Sequence, residues 1–418
     1  MAKVPASRFD VLKNRPLMIL SSGHFTIDMY AGLLPVLYPL LTTRFDLNLQ
    51  SVALVSLAYG GVSSVSQPLF GYIADKFGTR FTGLAMAWTA LLFATIGFAP
   101  TFETLLILAS LAGLGSGAFH PFGALNANVV IPEGQKNTAM SVYVTGGTLG
   151  VALGPIVGAV LFTVFGMRGT AVMLLPGLSI AIWMLLAMRD VSFTGSRYQD
   201  AASRARGAPP LPMTVITIVI LVMMLRMIPT IGVQNFIPVW YERLGYGAGF
   251  YGPLATTVVL GSAVGALGAG SLADRYGRRT VILVTLWLTI PAIFLFAEFP
   301  GPPAFATGAV VGLLAASTGP LLLVMAQQLM VGRAGMASGL ILGLSFIAAA
   351  LSAPLFGALA DAIGLQNAMR SLPVLVFATI GVAWFLPDEN QVRQLSAIPE
   401  ARDITSTGER TDAAQDVA

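Results

Sequence analysis

The sequence predicts an all-α membrane protein of twelve transmembrane helices in two pseudo-symmetric six-helix bundles, and three observations carry that prediction. Only 10% of the 418 residues are charged and 56% are hydrophobic, with a mean hydropathy of +0.79. A soluble domain carries about 25% charged residues, so most of this surface faces something other than water. Apolar runs of about 20 residues, the length that crosses the hydrocarbon core, follow one another along the chain. The third observation is a repeat: GYIADKFGTR at 71–80 returns as GSLADRYGRR at 270–279, an offset of 199 that also aligns Pro39 with Pro238, Gly113 with Gly312, Pro121 with Pro320 and Pro155 with Pro354. A repeat of half the chain means two copies of one structural unit.

The elements follow in order. Residues 1–15 are polar and basic (Lys3, Arg8, Lys13, Arg15) and form a cytosolic lead-in. The first six apolar spans are 16–42, 50–74, 80–99, 103–129, 137–165 and 169–188, making a bundle over 16–188. Residues 189–211, with four arginines and Pro209-Pro210, read as a cytosolic linker. The second bundle, 212–387, holds spans at 212–240, 249–273, 279–299, 303–330, 335–360 and 367–387. Residues 388–418 are polar, show no apolar face, and are expected to be a disordered cytosolic tail. With the N-terminus inside, 18 Lys and Arg fall in inside segments and 4 outside. That bias predicts a multi-pass protein of the inner (plasma) membrane with both termini in the cytoplasm. The long apolar run from Leu17, with no small-residue cleavage site after it, does not read as a cleavable signal peptide.

Composition narrows the chemistry. There is no cysteine, which excludes disulfides and thiolate metal sites, and two histidines speak against a His-rich metal centre. Nothing matches G-x-x-x-x-G-K-[ST], so direct use of a nucleoside triphosphate is not expected. The polar stretch 189–211 is too short to fold as a catalytic domain. The net charge of +4 comes from loops and tails and does not suggest nucleic-acid binding. No enzyme, cofactor or metal is expected. The partners are a small-molecule substrate, protons and the lipid bilayer, and the protein is expected to be monomeric.

The repeated decapeptide lies between two apolar runs in each half, so it reads as a tight charged loop between helices. Its residues are Gly71, Asp75, Lys76, Gly78 and Arg80 in the first copy and Gly270, Asp274, Arg275, Gly277 and Arg279 in the second. Glycine permits the turn and close helix approach, Asp can cap a helix start, and the basic residues hold the loop in the cytosol.

Two six-helix halves, a basic linker and the doubled loop motif resemble the major facilitator superfamily over residues 16–387. A narrower resemblance, to its fosmidomycin-resistance branch of exporters, rests on several short matches. These are Gly23-His24 with Asp28, Tyr38-Pro39-Leu40-Leu41, Gln67-Pro68, Gly71-Tyr72, Asp75-Lys76 and Phe119-His120-Pro121. Where that branch has a carboxylate after His-Pro, this chain has Phe122.

Ionisable groups in a helix centre are costly and are functional candidates. At about 1.5 Å per residue, Asp28 lies about 18 Å along the first helix, near mid-membrane, with His24 one turn before it on the same face. Arg226 is equally central in the seventh helix, within one residue of the position that the 199 offset assigns to Asp28. The resemblance implies that both helices line a central cavity. The expectation is an Asp28–Arg226 pair that binds protons and an anionic substrate in alternation, against a structural ion pair as the plain alternative. His24 and His120 are candidates for proton relay or for hydrogen-bonded wall positions. Gln234, Asn235, Tyr38 and Tyr59 are candidate cavity residues.

Gly146, Gly150, Gly154 and Gly158 recur every fourth residue in the fifth helix, beside Gly147 and Pro155. A small face at that spacing lets two helices pack backbone to backbone. The resemblance adds that this face works in alternating access in antiporters. The function expected is a proton-coupled antiporter exporting a small drug or organic-anion metabolite. The alternatives are a proton-coupled importer of an organic anion and, further off, a non-transporting receptor or scaffold.

Overall fold

A computed structural model describes residues 13–130, 136–188, 211–330 and 334–396, and every regular element among them is helical. Helix α1 is Arg15–Phe45, started by Asn14, whose side chain accepts from the Leu17 N–H, and by Pro16 in the first turn. Helix α2 runs through Leu49–Ser56, a π turn at Leu57–Gly61, and Val62–Phe77. Helix α3 is Thr82–Thr95, α4 Phe102–Val130 and α5 Lys136–Phe165. A 3₁₀ stretch, Gly166–Met173, leads into α6, Leu174–Ala187. Helix α7 comes in two pieces, Met213–Leu225 and Met227–Arg243, meeting at Arg226. Then follow α8 Ala248–Tyr276, α9 Arg278–Glu298, α10 Pro303–Leu329, α11 Ala334–Ile363 and α12 Leu365–Ala383. Among the described residues, these helical segments overlap the expected apolar spans, and ten stretches are long and apolar enough to cross a membrane. The lead-in 1–12 and nearly all of the linker, 189–210, lie outside the described residues.

The tail departs from expectation. Glu389–Ser396 forms a further helix, α13, with Val392 buried. Glu389 accepts from the Arg278 backbone N–H at 3.0 Å and from its Nε at 2.8 Å, so an ion pair to the start of α9 orders a segment that composition marks as disordered. Residues 397–418 lie outside the described residues.

The stripe predicted in α5 packs on α1. A Cβ on Gly146 would stand 2.5 Å from the Ser21 carbonyl oxygen, and one on Gly154 would stand 2.7 Å from the Gly32 backbone. Gly150 meets the Phe25 carbonyl in the same way. Gly158 differs: its Cβ would meet only the Phe162 and Val36 side chains, at 3.3 Å. The first three glycines are thus a condition of the α1–α5 crossing, and the fourth is not.

The two halves touch at one end, opposite the repeated motif. There the Asp361 carboxylate at the end of α11 accepts from the Leu49 and Gln50 backbone N–H groups at 2.9 and 2.8 Å, completing the cap that Asn48 begins on α2. Gly357 packs against the Leu49 carbonyl, and Gly252 of α8 against Pro155 and Ala159 of α5. At the motif end, a side chain on Gly71, Gly268 or Gly270 would meet nothing within 4 Å.

Candidate functional site

Two groupings of polar side chains lie deep in the helices. The first is within the N-terminal half. His24 and Asp28 share one face of α1, and His120, just before Pro121 of α4, reaches the same carboxylate from across the bundle. His24 Nε2 is 3.2 Å from Asp28 Oδ2 and His120 Nε2 is 3.0 Å from Oδ1. The other ring nitrogens face backbone carbonyls, His24 Nδ1 on Tyr143 at 2.9 Å and His120 Nδ1 on Ser116 at 2.8 Å. A carbonyl only accepts, so both Nδ1 atoms carry hydrogen and both Nε2 atoms point at Asp28. The Tyr143 ring stacks on His24 with centroids 4.4 Å apart. Gly147 makes the space: a Cβ there would stand 2.6 Å from His24 Nε2 and closer still to the Asp28 carboxylate.

The second grouping is the wall of a cavity of about 610 Å³ between the halves. Helices α1, α2 and α5 line it from one side and α7, α8, α10 and α11 from the other. Tyr59, Arg226, Gln234 and Asn235 are on the wall, among largely apolar neighbours such as Val151, Met223, Leu323 and Phe346. Pro155 of the stripe also lines it. Arg226 is 8% exposed; its Nη1 donates to the Ala315 carbonyl at 3.2 Å and its Nε faces the Met223 sulfur. Gly319 leaves room for the guanidinium, since a Cβ there would stand 2.7 Å from Nη2. Gln234 Nε2 donates to Ser262 at 3.3 Å.

The expected Asp28–Arg226 pair is absent. Asp28 is turned into its own bundle and held by the two histidines, and among the described residues no carboxylate pairs with Arg226. Asp28 faces the interior of its own half, whereas Arg226 faces the cavity between the halves. Tyr38 is also displaced from its expected place. It is fully buried, hydroxyl on Ser56 Oγ at 2.7 Å and ring against Phe236, tying α1 to α2 and to α7.

The repeated motif is less a loop than two helix ends. Asp75 and Lys76 lie in the last turn of α2, Asp274 and Arg275 in that of α8, so neither Asp caps a helix start. The turns belong to Gly78 and Gly277, at φ 76° and 83°, where glycine is favoured. Gly71 and Gly270 meet no neighbour and mark no close approach. Arg80 lies over the Phe81 ring and Arg275 over Tyr276, and Arg279 donates to the Trp384 carbonyl. Arg278, which the repeated motif does not single out, is 8% exposed and binds both Glu389 and Gln328. Asp361 is a second residue outside the expected set. A signal was there: Leu359-Ala360-Asp361 with Gly364 repeats Leu272-Ala273-Asp274 with Gly277, and Gly364 and Gly277 share φ 83°.

A twelve-helix chain with a cavity between two repeated halves is a membrane transporter fold. The description Major Facilitator Superfamily matches residues 20–255 and 218–409. The chain is 30% identical over 389 residues to the "Uncharacterized MFS-type transporter YfnC" of Bacillus subtilis (strain 168), covering 90% of this chain and 94% of that one. It is 28% identical to the "Fosmidomycin resistance protein" of Escherichia coli (strain K12), over 88% of this chain and 92% of the relative. Among solved structures, a bacterial homolog of the human lysosomal transporter Spinster, inward-facing and occupied, superposes with TM-score 0.74 at 13% identity, covering 94% of this chain and 100% of that one. The chain belongs to the major facilitator superfamily, a family of multi-pass membrane transporters.

Proposed function

We propose that the chain is a proton-coupled antiporter that exports a small drug or organic anion by alternating access. The observation that carries this is Arg226, a buried guanidinium in the cavity wall whose partners among the described residues are a carbonyl and a thioether. An uncompensated charge at that depth is costly, and an anion binding through the planar fork offsets the cost. The proton site is the separate His24–Asp28–His120 triad. Coupling runs through α1, which carries Asp28 and, one turn later, Ala31 and Gly32 in the cavity wall. One charge moving down 100 mV supplies about 2.3 kcal/mol, enough to drive a useful gradient. The fosmidomycin-resistance relative supports an exported substrate of this kind.

The excess of Lys and Arg near the repeated motif supports a cytoplasmic setting for that end in an inner membrane, with both termini inside. The halves then meet on the outer side and the cavity faces inward. In this state Asp361 of α11 caps the outer end of α2. On this reading the repeated motif, at the inner end of α2, takes the corresponding part when the halves tilt the other way. The repeated motif and the α5 stripe are the switching elements on this reading, in a monomer.

The test is binding and transport by reconstituted protein between about pH 5 and about pH 9, with fosmidomycin, phosphonates and carboxylates as probes. Arg226→Ala abolishes anion binding and Arg226→Lys restores it in part. Asp28→Asn retains binding and loses gradient-driven transport. Wild-type pH dependence in Asp28→Asn would remove Asp28 from the coupling step. Accumulation of the probe instead of efflux would turn the direction to import.

A further inference from the structure

The triad has a property that transport does not require. Its ligand-type atoms, two imidazole nitrogens and a carboxylate oxygen, lie within 4.8 Å of one another. We propose that His24, Asp28 and His120 form a binding site for a divalent transition-metal ion of the zinc class. A metal bound there does not depend on whether the triad also carries protons.

The spacing fits. Ligands about 2.0–2.1 Å from a tetrahedral zinc stand about 3.3 Å apart. His24 Nε2 stands 3.2 Å from one Asp28 carboxylate oxygen and His120 Nε2 3.0 Å from the other, and the two imidazole rings stand edge to face at 85°. The outer hydrogen bonds fit as well. Metal-ligating histidines donate their second ring N–H to a carbonyl or carboxylate, which fixes tautomer and orientation. Both histidines do so here, to Tyr143 and Ser116, which turns both Nε2 atoms toward Asp28, where a bound cation would displace the hydrogens shared with the carboxylate.

Room is provided. Gly147 faces the ligand atoms where any side chain would strike His24 Nε2 and the carboxylate. The side chains of His24, Asp28 and His120 are 11%, 19% and 26% exposed, so none of the three is fully sealed. Two nitrogens and one carboxylate favour zinc, cobalt or nickel over magnesium or calcium, which prefer all-oxygen shells. Two histidines are too few for a His-rich centre. Across two helices with Asp28, they complete the three-ligand set of an open zinc site.

The composition supplies a clean test. The chain has two histidines and no cysteine, so a metal shell with two imidazoles can come from this triad only. Full-length protein carrying a histidine-free affinity tag is purified, stripped with chelator and titrated with zinc chloride at one fixed pH near neutrality. Calorimetry gives the stoichiometry, and zinc-edge X-ray absorption gives the shell. The expected result is one zinc per chain with two imidazole nitrogens and one or two oxygens. His24→Gln and His120→Gln are each expected to weaken binding at least about tenfold. The wild-type spectrum does not depend on any variant folding. An oxygen-only shell, or no stoichiometric binding below about 1 mM, overturns the proposal. Neither outcome bears on proton coupling, which Asp28→Asn tests by transport at varied pH.

Discussion

The α1–α5 crossing allows a prediction in which position, not residue type, decides the outcome. Replacing Gly154 with Ala puts a methyl 2.7 Å from the Gly32 Cα and carbonyl carbon and 3.0 Å from the Met29 oxygen. Carbon pairs rest at about 3.5–4.0 Å, so the two helices must part by about 1 Å, because backbone cannot turn aside. Overpacking of this kind costs about 1–3 kcal/mol, and a contact with backbone belongs at the upper end. Ala recovers about 1 kcal/mol of helix propensity over Gly, leaving a net loss of about 2 kcal/mol. At Gly158 the same methyl meets Phe162 and Val36 at 3.3 Å, side chains that shift by tenths of an ångström, so the propensity gain prevails. Detergent-purified Gly154→Ala should therefore unfold below wild type and transport poorly, and Gly158→Ala should unfold at or above wild type. The sequence alone suggests that Ala at 154 is mild and only Leu severe; the backbone contact makes Ala damaging too. Thermal unfolding followed by intrinsic fluorescence decides it. Gly154→Ala as stable as Gly158→Ala would refute the reasoning.

Asp361→Asn removes the carboxylate from the α2 N-terminus at the closed end. At an exposed site that cap is worth about 1 kcal/mol, so the populations should shift about fivefold towards the opposite opening. Spin-label distances across that end, in a chain with no native cysteine to remove, measure it; unchanged distances count against the latch. Glu389 is held down to about 2, chiefly by the Arg278 hydrogen bond. Its contribution to docking α13 is therefore complete above the ordinary carboxylate range near 4.5 and is lost as pH falls through about 2. Hydrogen exchange over 389–396 should stay protected from about pH 5 upwards and rise in Glu389→Gln; release within the neutral range would contradict this. Asp75→Ala and Asp274→Ala should each reduce transport while membrane insertion is kept, Asp75→Ala more strongly. Normal turnover in both single variants and the double would remove the motif from the switching step.

Much of this was legible because hydropathy and repetition are linear properties. Span length, the 199-residue offset and the three helix-end glycines Gly78, Gly277 and Gly364 can all be read without coordinates. Depth along a helix is legible for the same reason: the rise per residue is constant, so Asp28 and Arg226 could be placed near the midplane. Azimuth could not. Each residue turns the helix by about 100°, and packing at Gly32, Gly147 and Gly154 sets the rotation of α1. That rotation turned the Asp28 face, already shared with His24, toward His120 and left Arg226 on the cavity wall with no carboxylate partner among the described residues. The same holds for α13, polar in sequence and ordered by Arg278 from 111 residues away, and for Asp361, whose partners lie 311 and 312 residues back. Local pattern determined which residues lie in the membrane and how deep. Only tertiary contact, between groups far apart in the chain, decided which of them face each other.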